Sequence, residues 1–151
     1  MRRVLVLNGP NLGVLGRREP ELYGSATLAE LEQRLTARGQ ELDIEVRCEQ
    51  TNHEGRMVDL LGEEAGRADG CILNPAGLGH TSVVLLDAVR FFAAPVVEVH
   101  LSNVHAREHF RHRCLTAQAA RGVVMGLGQE GYVLALEALA RILDDNRDKE
   151  G

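Results

Sequence analysis

Along this chain, short runs of aliphatic and β-branched residues alternate five times with segments whose apolar positions recur at helical spacing. Val4-Leu5-Val6-Leu7 reads as a buried strand, stopped by Asn8-Gly9-Pro10. After a Gly-rich stretch, Thr27 and Glu30 form a T-x-x-E capping box that opens a helix, which Gly39 is expected to close. From Leu42 to Cys48 apolar and polar residues alternate, as in a strand with one wetter face at a sheet edge. A second helix follows Asn52, with Met57, Leu60, Leu61 and Ala65 on one side. Cys71-Ile72-Leu73 is a third strand, halted at Asn74-Pro75, and Thr81 or Ser82 caps an apolar helix ending near Phe92. Pro95 leads into a strand over residues 96–100, a short polar helix is predicted over Ala106–Arg113, and Val123–Met125 makes a fifth strand. The last helix begins near Glu130 and runs into a charged tail, residues 144–151, expected to fray.

Five strand–helix units in 151 residues predict one α/β domain with a five-stranded parallel sheet and helices on both faces. The strand order expected at this size is flavodoxin-like, 2-1-3-4-5. In such sheets ligands bind beyond the carboxyl ends of the strands, at the switch point between strands 1 and 3. Those ends carry Asn8 and Asn11, then Asn74, then His100, Ser102 and Asn103. Turns favour asparagine for backbone reasons alone. Three neighbouring strands ending in such groups predict a site for a polar ligand.

Composition narrows the picture. The net charge of -5 lacks the basic surplus of a general nucleic-acid binder. The three cysteines, Cys48, Cys71 and Cys114, are odd in number and form no CxxC, which points to reduced thiols in a cytoplasmic protein. The most membrane-like window, 82–101, is interrupted by Asp87, Arg90, Pro95 and Glu98.

Several motifs carry chemistry only weakly. GLGQEG, Gly126–Gly131, has the dinucleotide spacing, but no strand with an acidic end follows its helix, so tight turns and close packing explain it more simply. His105, His109 and His112 have a spacing that can bind zinc, yet arginines crowd them and no acidic ligand is in register, so a solvated face is the better reading. Glu98 and His100 leave the same face of an otherwise apolar strand, which suits a carboxylate-oriented general acid and requires further partners for the pair. Tyr23 lies in RREPELYG, residues 17–24. A phenol is a poor base near neutrality unless a cation stabilises its charged form, and Arg17 or Arg18 could do so. Glycines 13, 16 and 24 would let the segment close as a lid. On spacing alone an exposed tyrosine beside solvated arginines is the simpler reading. Tyr132 reads as a core residue with a satisfied hydroxyl. Neither the acidic cluster of a receiver domain nor a hydroxyl-rich flavin phosphate loop follows strand 1.

Taken together, LNGPNLGVLGRREPELYG, QTNHEG, ILNPAGLGHTS, VEVHLSNVHAREHFR and GLGQEGYVLAL resemble, in order and over nearly the whole chain, the type II 3-dehydroquinate dehydratases. The resemblance implies trans elimination of water from 3-dehydroquinate through an enolate, in the shikimate pathway, with no metal or organic cofactor. It implies Tyr23 as the base, Arg18 as its cation, Asn11 holding a water at the enolate oxygen, and His100 as the acid oriented by Glu98. Asn74, His80, Leu101, Ser102 and Arg111 would bind substrate. A homo-oligomer is implied, a dodecamer built as a tetramer of trimers, in which Asp87 reaches a neighbour's site. Gly79 stands where these enzymes usually have Thr, Cys114 where Ser is common, His109 where Glu is usual, and Gly62 where His is frequent. Another carbonyl-directed lyase or isomerase would use the same groups, and a flavodoxin-like binding module or an inactive scaffold would use none of them.

Overall fold

The computed structural model describes residues 1–151. Five parallel strands, β1 (Arg2–Asn8), β2 (Ile44–Gln50), β3 (Gly70–Asn74), β4 (Val96–His100) and β5 (Gly122–Met125), lie in the order β2-β1-β3-β4-β5. That is the doubly wound, flavodoxin-like order the alternation predicts, and it puts β2 on an edge. The helices are α1 (Pro20–Tyr23), α2 (Leu28–Glu41), α3 (Glu54–Glu64), α4 (Val83–Phe92) and α5 (Glu130–Glu150). None is long and apolar enough to cross a membrane.

Strand periodicity divides the core in two. Val4, Val6, Ile72, Val97 and Val99 face Leu31 and Leu35 of α2 and Leu136 and Leu139 of α5. Leu5, Leu7, Cys71 and Leu73 face Met57, Leu60 and Leu61 of α3 and Leu85, Val89 and Phe92 of α4. Each fully buried aliphatic side chain contributes about 1.5–3 kcal/mol of transfer free energy, so the central strands anchor the sheet that carries the site. The alternation also sends Glu98 and His100 to the α3–α4 face, where the chain after β4 must cover them.

Local signals set several boundaries. The Thr27 hydroxyl accepts from the Glu30 amide at 3.2 Å, completing the N-cap of α2. Ser82, rather than Thr81, caps α4, accepting from Leu85 N at 2.9 Å. The expected stop at Gly39 is wrong: α2 continues to Glu41. A Cβ on Gly39 would lie 2.8 Å from the Ile44 carbonyl oxygen and 2.6 Å from a Val46 methyl, so this glycine lets the helix approach β2. The turn of the chain falls instead at Asp43, at φ 56°. The polar helix expected over 106–113 is two separate 3-10 turns, Val104–Ala106 and His109–Arg111. The tail expected to fray remains helical through Glu150, with Arg2 reaching across to Asp144 at 2.7 Å.

Candidate active site

Beyond the carboxyl ends of β1, β3 and β4 the surface folds into a crevice of about 140 Å³. Asn11 enters it from the turn after β1. There its backbone is left-handed, at φ 70°, a conformation asparagine tolerates well, and its amide is tied to Asn52 Oδ1 at 3.0 Å. Asn74 comes from the end of β3. Its Nδ2 donates to the Tyr132 hydroxyl at 2.8 Å and its Oδ1 accepts from Ala76 N at 3.0 Å, so its amide is fixed with one N–H to spare. Asn8, predicted to face the same crevice, does not. It is fully buried, with Oδ1 accepting from the Tyr132 hydroxyl at 2.6 Å, and supports the floor from beneath. Tyr132 is thus the core tyrosine with a satisfied hydroxyl, and burial pushes its ionisation far up.

His100 lines the buried end of the crevice, with Glu98 held behind it. Both are at most 5 % exposed, and His100 Nε2 donates to Glu98 Oε2 at 2.8 Å. The second carboxylate oxygen accepts from the hydroxyl of Thr116, itself fully buried. With both oxygens acting as acceptors, Nε2 carries a proton and Nδ1 is the nitrogen left for a ligand. The buried carboxylate thus has the partners that its apolar strand demands. His80, from the 3-10 turn Ala76–His80, stacks beside His100 with ring centroids 6.0 Å apart. Its Nδ1 donates to the Arg113 carbonyl at 2.9 Å, leaving Nε2 as an acceptor.

The opposite side is cationic. Tyr23, at the end of α1, lies with the Arg18 guanidinium carbon 5.2 Å and that of Arg107 5.5 Å from its ring centroid. Both distances are within cation–π range, so two permanent positive charges flank the phenol. Of the two arginines weighed from sequence, Arg18 lines the crevice, whereas Arg17 is exposed and does not. Arg107 donates to the Ser102 hydroxyl at 3.3 Å, and Arg111, tied to Glu108 at 2.6 Å, completes a wall of three guanidiniums with no carboxylate on the lining. Leu101 and Ser102 lie at the turn leaving β4. That turn is clamped by the glycine loop after β5, with Gly126 N donating to the His100 carbonyl and Gly128 N to that of Leu101. Gly131 lets α5 settle on Val124 and Val99. Turn geometry and packing therefore account for GLGQEG.

Asn103, also predicted there, lines an adjoining hollow instead, and Asp87 lies on another face altogether. Asp87 is exposed on α4, beside a separate hollow lined by Val58, Asp59, Val84 and Phe91, and does not reach its own chain's crevice. Arg107 and Thr116 escaped the sequence reading. Arg107 looked like one of several solvated arginines, and nothing local marks Thr116 as the donor that Glu98 requires. His105, His109 and His112 do cluster, with centroids 5.5 and 5.1 Å from His112, whose Nε2 donates to the Arg107 carbonyl at 3.2 Å.

A histidine held by a buried carboxylate shares this crevice with a phenol flanked by guanidiniums, at the switch point of a doubly wound, flavodoxin-like sheet, a set of groups able to move protons on a small anion. Comparison with known proteins narrows this further. The chain belongs to the class II dehydroquinase family, whose pattern it matches over residues 2–140. It is 52% identical over 140 residues to a 3-dehydroquinate dehydratase of Chelativorans sp. (strain BNC1), covering 92% of this chain and 97% of the relative. The corresponding protein of Gloeobacter violaceus is 50% identical over 141 residues, covering 93% and 88%. The crystal structure of the type II dehydroquinase from Propionibacterium acnes superposes with a TM-score of 0.90 at 44% identity, over 93% of this chain and 97% of that one.

Proposed function

We propose that this protein is a hydro-lyase that removes water from 3-dehydroquinate, giving 3-dehydroshikimate through an enolate, as a step of the shikimate pathway. The carrying observation is the pairing within one crevice of a base and an acid of complementary design: Tyr23 between Arg18 and Arg107, and His100 held by Glu98. Tyr23, as phenolate, takes the proton alpha to the ketone, and the C–H electrons pass into the enolate. Asn11 holds a water that stabilises the enolate oxygen. The enolate then collapses, the carbon–oxygen bond to the leaving hydroxyl breaks, and His100 protonates that oxygen so that it departs as water. The base comes from the segment over the crevice and the acid from the sheet beneath, an arrangement suited to trans elimination.

Backbone amides at Leu101 and Ser102, with the Ser102 hydroxyl, take the substrate carboxylate, and the arginine wall attracts it. Asn74, His80 and Arg111 bind the ring hydroxyls. In this reading the chains assemble as a dodecamer, a tetramer of trimers, and Asp87 completes the site of a neighbour. The support within one chain is that Asp87 shares α4 with Val83, Val84 and Phe91, apolar side chains each more than half exposed.

The test is a Tyr23→Phe variant incubated with 3-dehydroquinate while enone absorbance is followed. Loss of the base should lower kcat by about 100-fold or more, with substrate affinity little changed. Near-normal turnover in that variant would assign proton removal elsewhere, and no enone from the native protein would remove the dehydratase reading.

A further inference from the structure

Cys114, which does not line the substrate crevice, brings a thiol to the carboxylate–imidazole pair. One donor atom each from Glu98, His100 and Cys114 lie within 4.8 Å of one another. We propose that these three residues form a binding site for a thiophilic divalent cation of the Zn2+ type, and that its occupation switches the active site off. The inhibitory half rests on His100 being the acid of the reaction; the binding half does not.

The donor set argues for the metal. One sulfur, one nitrogen and one oxygen suit a borderline-soft ion, whereas Mg2+ or Ca2+ would take oxygen alone. Zinc bonds of about 2.0–2.3 Å put neighbouring ligand atoms of a tetrahedral site about 3.3–3.7 Å apart. The Glu98–His100 contact of 2.8 Å need open only slightly, and the sulfur need move inward by a side-chain rotation. Second-shell partners are in place: Thr116 donates to the other oxygen of Glu98, and His80 stands with Nδ1 3.8 Å from the sulfur. Cys114 is the half-buried member of the three, the least enclosed of the donors, and offers a cation a route in.

Proton balance gives the consequence. The cation replaces the thiol proton, which leaves to solvent, and takes the lone pair of His100 Nε2. The neutral ring keeps its single proton, now on Nδ1. Because the thiol proton must leave for the cation to bind, binding strengthens as pH rises. A ring bound in this way no longer alternates between imidazolium and imidazole, and Glu98 is diverted from orienting it. Cys48, which is half-buried, and Cys71, which is fully buried, are not comparable, since neither belongs to such a cluster of donor groups.

The experiment titrates native protein and a Cys114→Ser variant with Co2+, following thiolate-to-cobalt charge-transfer absorption, and then with Zn2+, following dehydratase turnover. The expected result is a charge-transfer band that saturates at one cation per chain in the native protein and is absent in the variant. Zn2+ should displace it and abolish native turnover in proportion, while the variant turns over normally and resists Zn2+. No band in the native protein, or a band that persists without Cys114, would overturn the site. A Cys114-dependent band with turnover untouched would overturn the switch, and the band reads binding whether or not His100 is the acid.

Discussion

Thr116 illustrates how much a single buried hydroxyl decides in this site. Glu98 sits fully buried in a strand with apolar neighbours, and its carboxylate is held from one side by His100 and from the other by Thr116. Removing one donor from a buried charge leaves its desolvation uncompensated, at a cost of about 1–3 kcal/mol or more. Thr116→Val keeps the shape and deletes the bond, so it should lower both the urea midpoint and kcat, with KM changing little because the hydroxyl touches no substrate. Thr116→Ser should restore both. A Val variant as stable and active as the native protein would mean that His100 alone orients the carboxylate. The residue scale also separates the adjacent arginines. Arg18 faces the Tyr23 ring and Arg17 faces solvent, a distinction of side-chain direction that no spacing rule supplies.

At the scale of elements, two glycines on helices play opposite parts. Gly39 marks the contact between α2 and β2, where an added Cβ would meet the backbone oxygen of Ile44 at 2.8 Å. Gly39→Ala should therefore destabilise by about 1–3 kcal/mol despite its better helix propensity. Gly55, in the first turn of α3, has nothing within 4 Å of that position. Gly55→Ala should stabilise by about 0.4–1 kcal/mol, by restricting the unfolded chain. Urea midpoints of the two variants should move in opposite directions, and a shared direction would refute the packing argument. The segment after β4 teaches a related lesson. Its histidines and arginines suggested one helix, but 3-10 turns turn Arg107 and Arg111 to the crevice and gather the histidines elsewhere.

For the whole molecule, alkaline pH is the informative variable. The chain has a single lysine, Lys149, so its other basic side chains are arginines that keep their charge far into the alkaline range. The buried groups do titrate differently from the unfolded chain. Burial, with lesser contributions from Glu32 and Glu49, pushes the Cys48 thiol up to about 12. Burial likewise pushes Cys71 and Tyr132 well above their ordinary values. Above the ordinary thiol and phenol ranges, about 8.5 and 10, the unfolded chain releases protons that the native state retains. The unfolded state then binds fewer protons, and stability falls as pH rises. Urea midpoints should therefore drop from about pH 8 to about pH 10.5, and Cys48→Ala should make the slope shallower. A flat profile would show that these groups titrate alike in both states. Assembly belongs to the same scale. Light scattering should give a mass many times that of the 16.5 kDa chain, and Phe91→Glu on the exposed face of α4 should lower it. A native protein that stays a single chain would remove Asp87 from the site.

The amino-acid order alone determined the five strand–helix units, the sheet they form, the cap at Thr27, and the placement of Asn11, Asn74 and His100 near one crevice. These follow from periodicity, capping and the rule that parallel sheets bind ligands at their carboxyl ends, all of which act over a few residues or through topology. Only the tertiary structure decided that Asn8 turns inward to Tyr132, 124 residues away in the chain, while Asn74 reaches the crevice. It likewise brought Arg107 to the Tyr23 ring beside Arg18, and supplied Thr116 to Glu98. Side-chain direction and buried polar pairing are settled by which distant segments pack together, and neighbouring residues in the sequence carry no record of that.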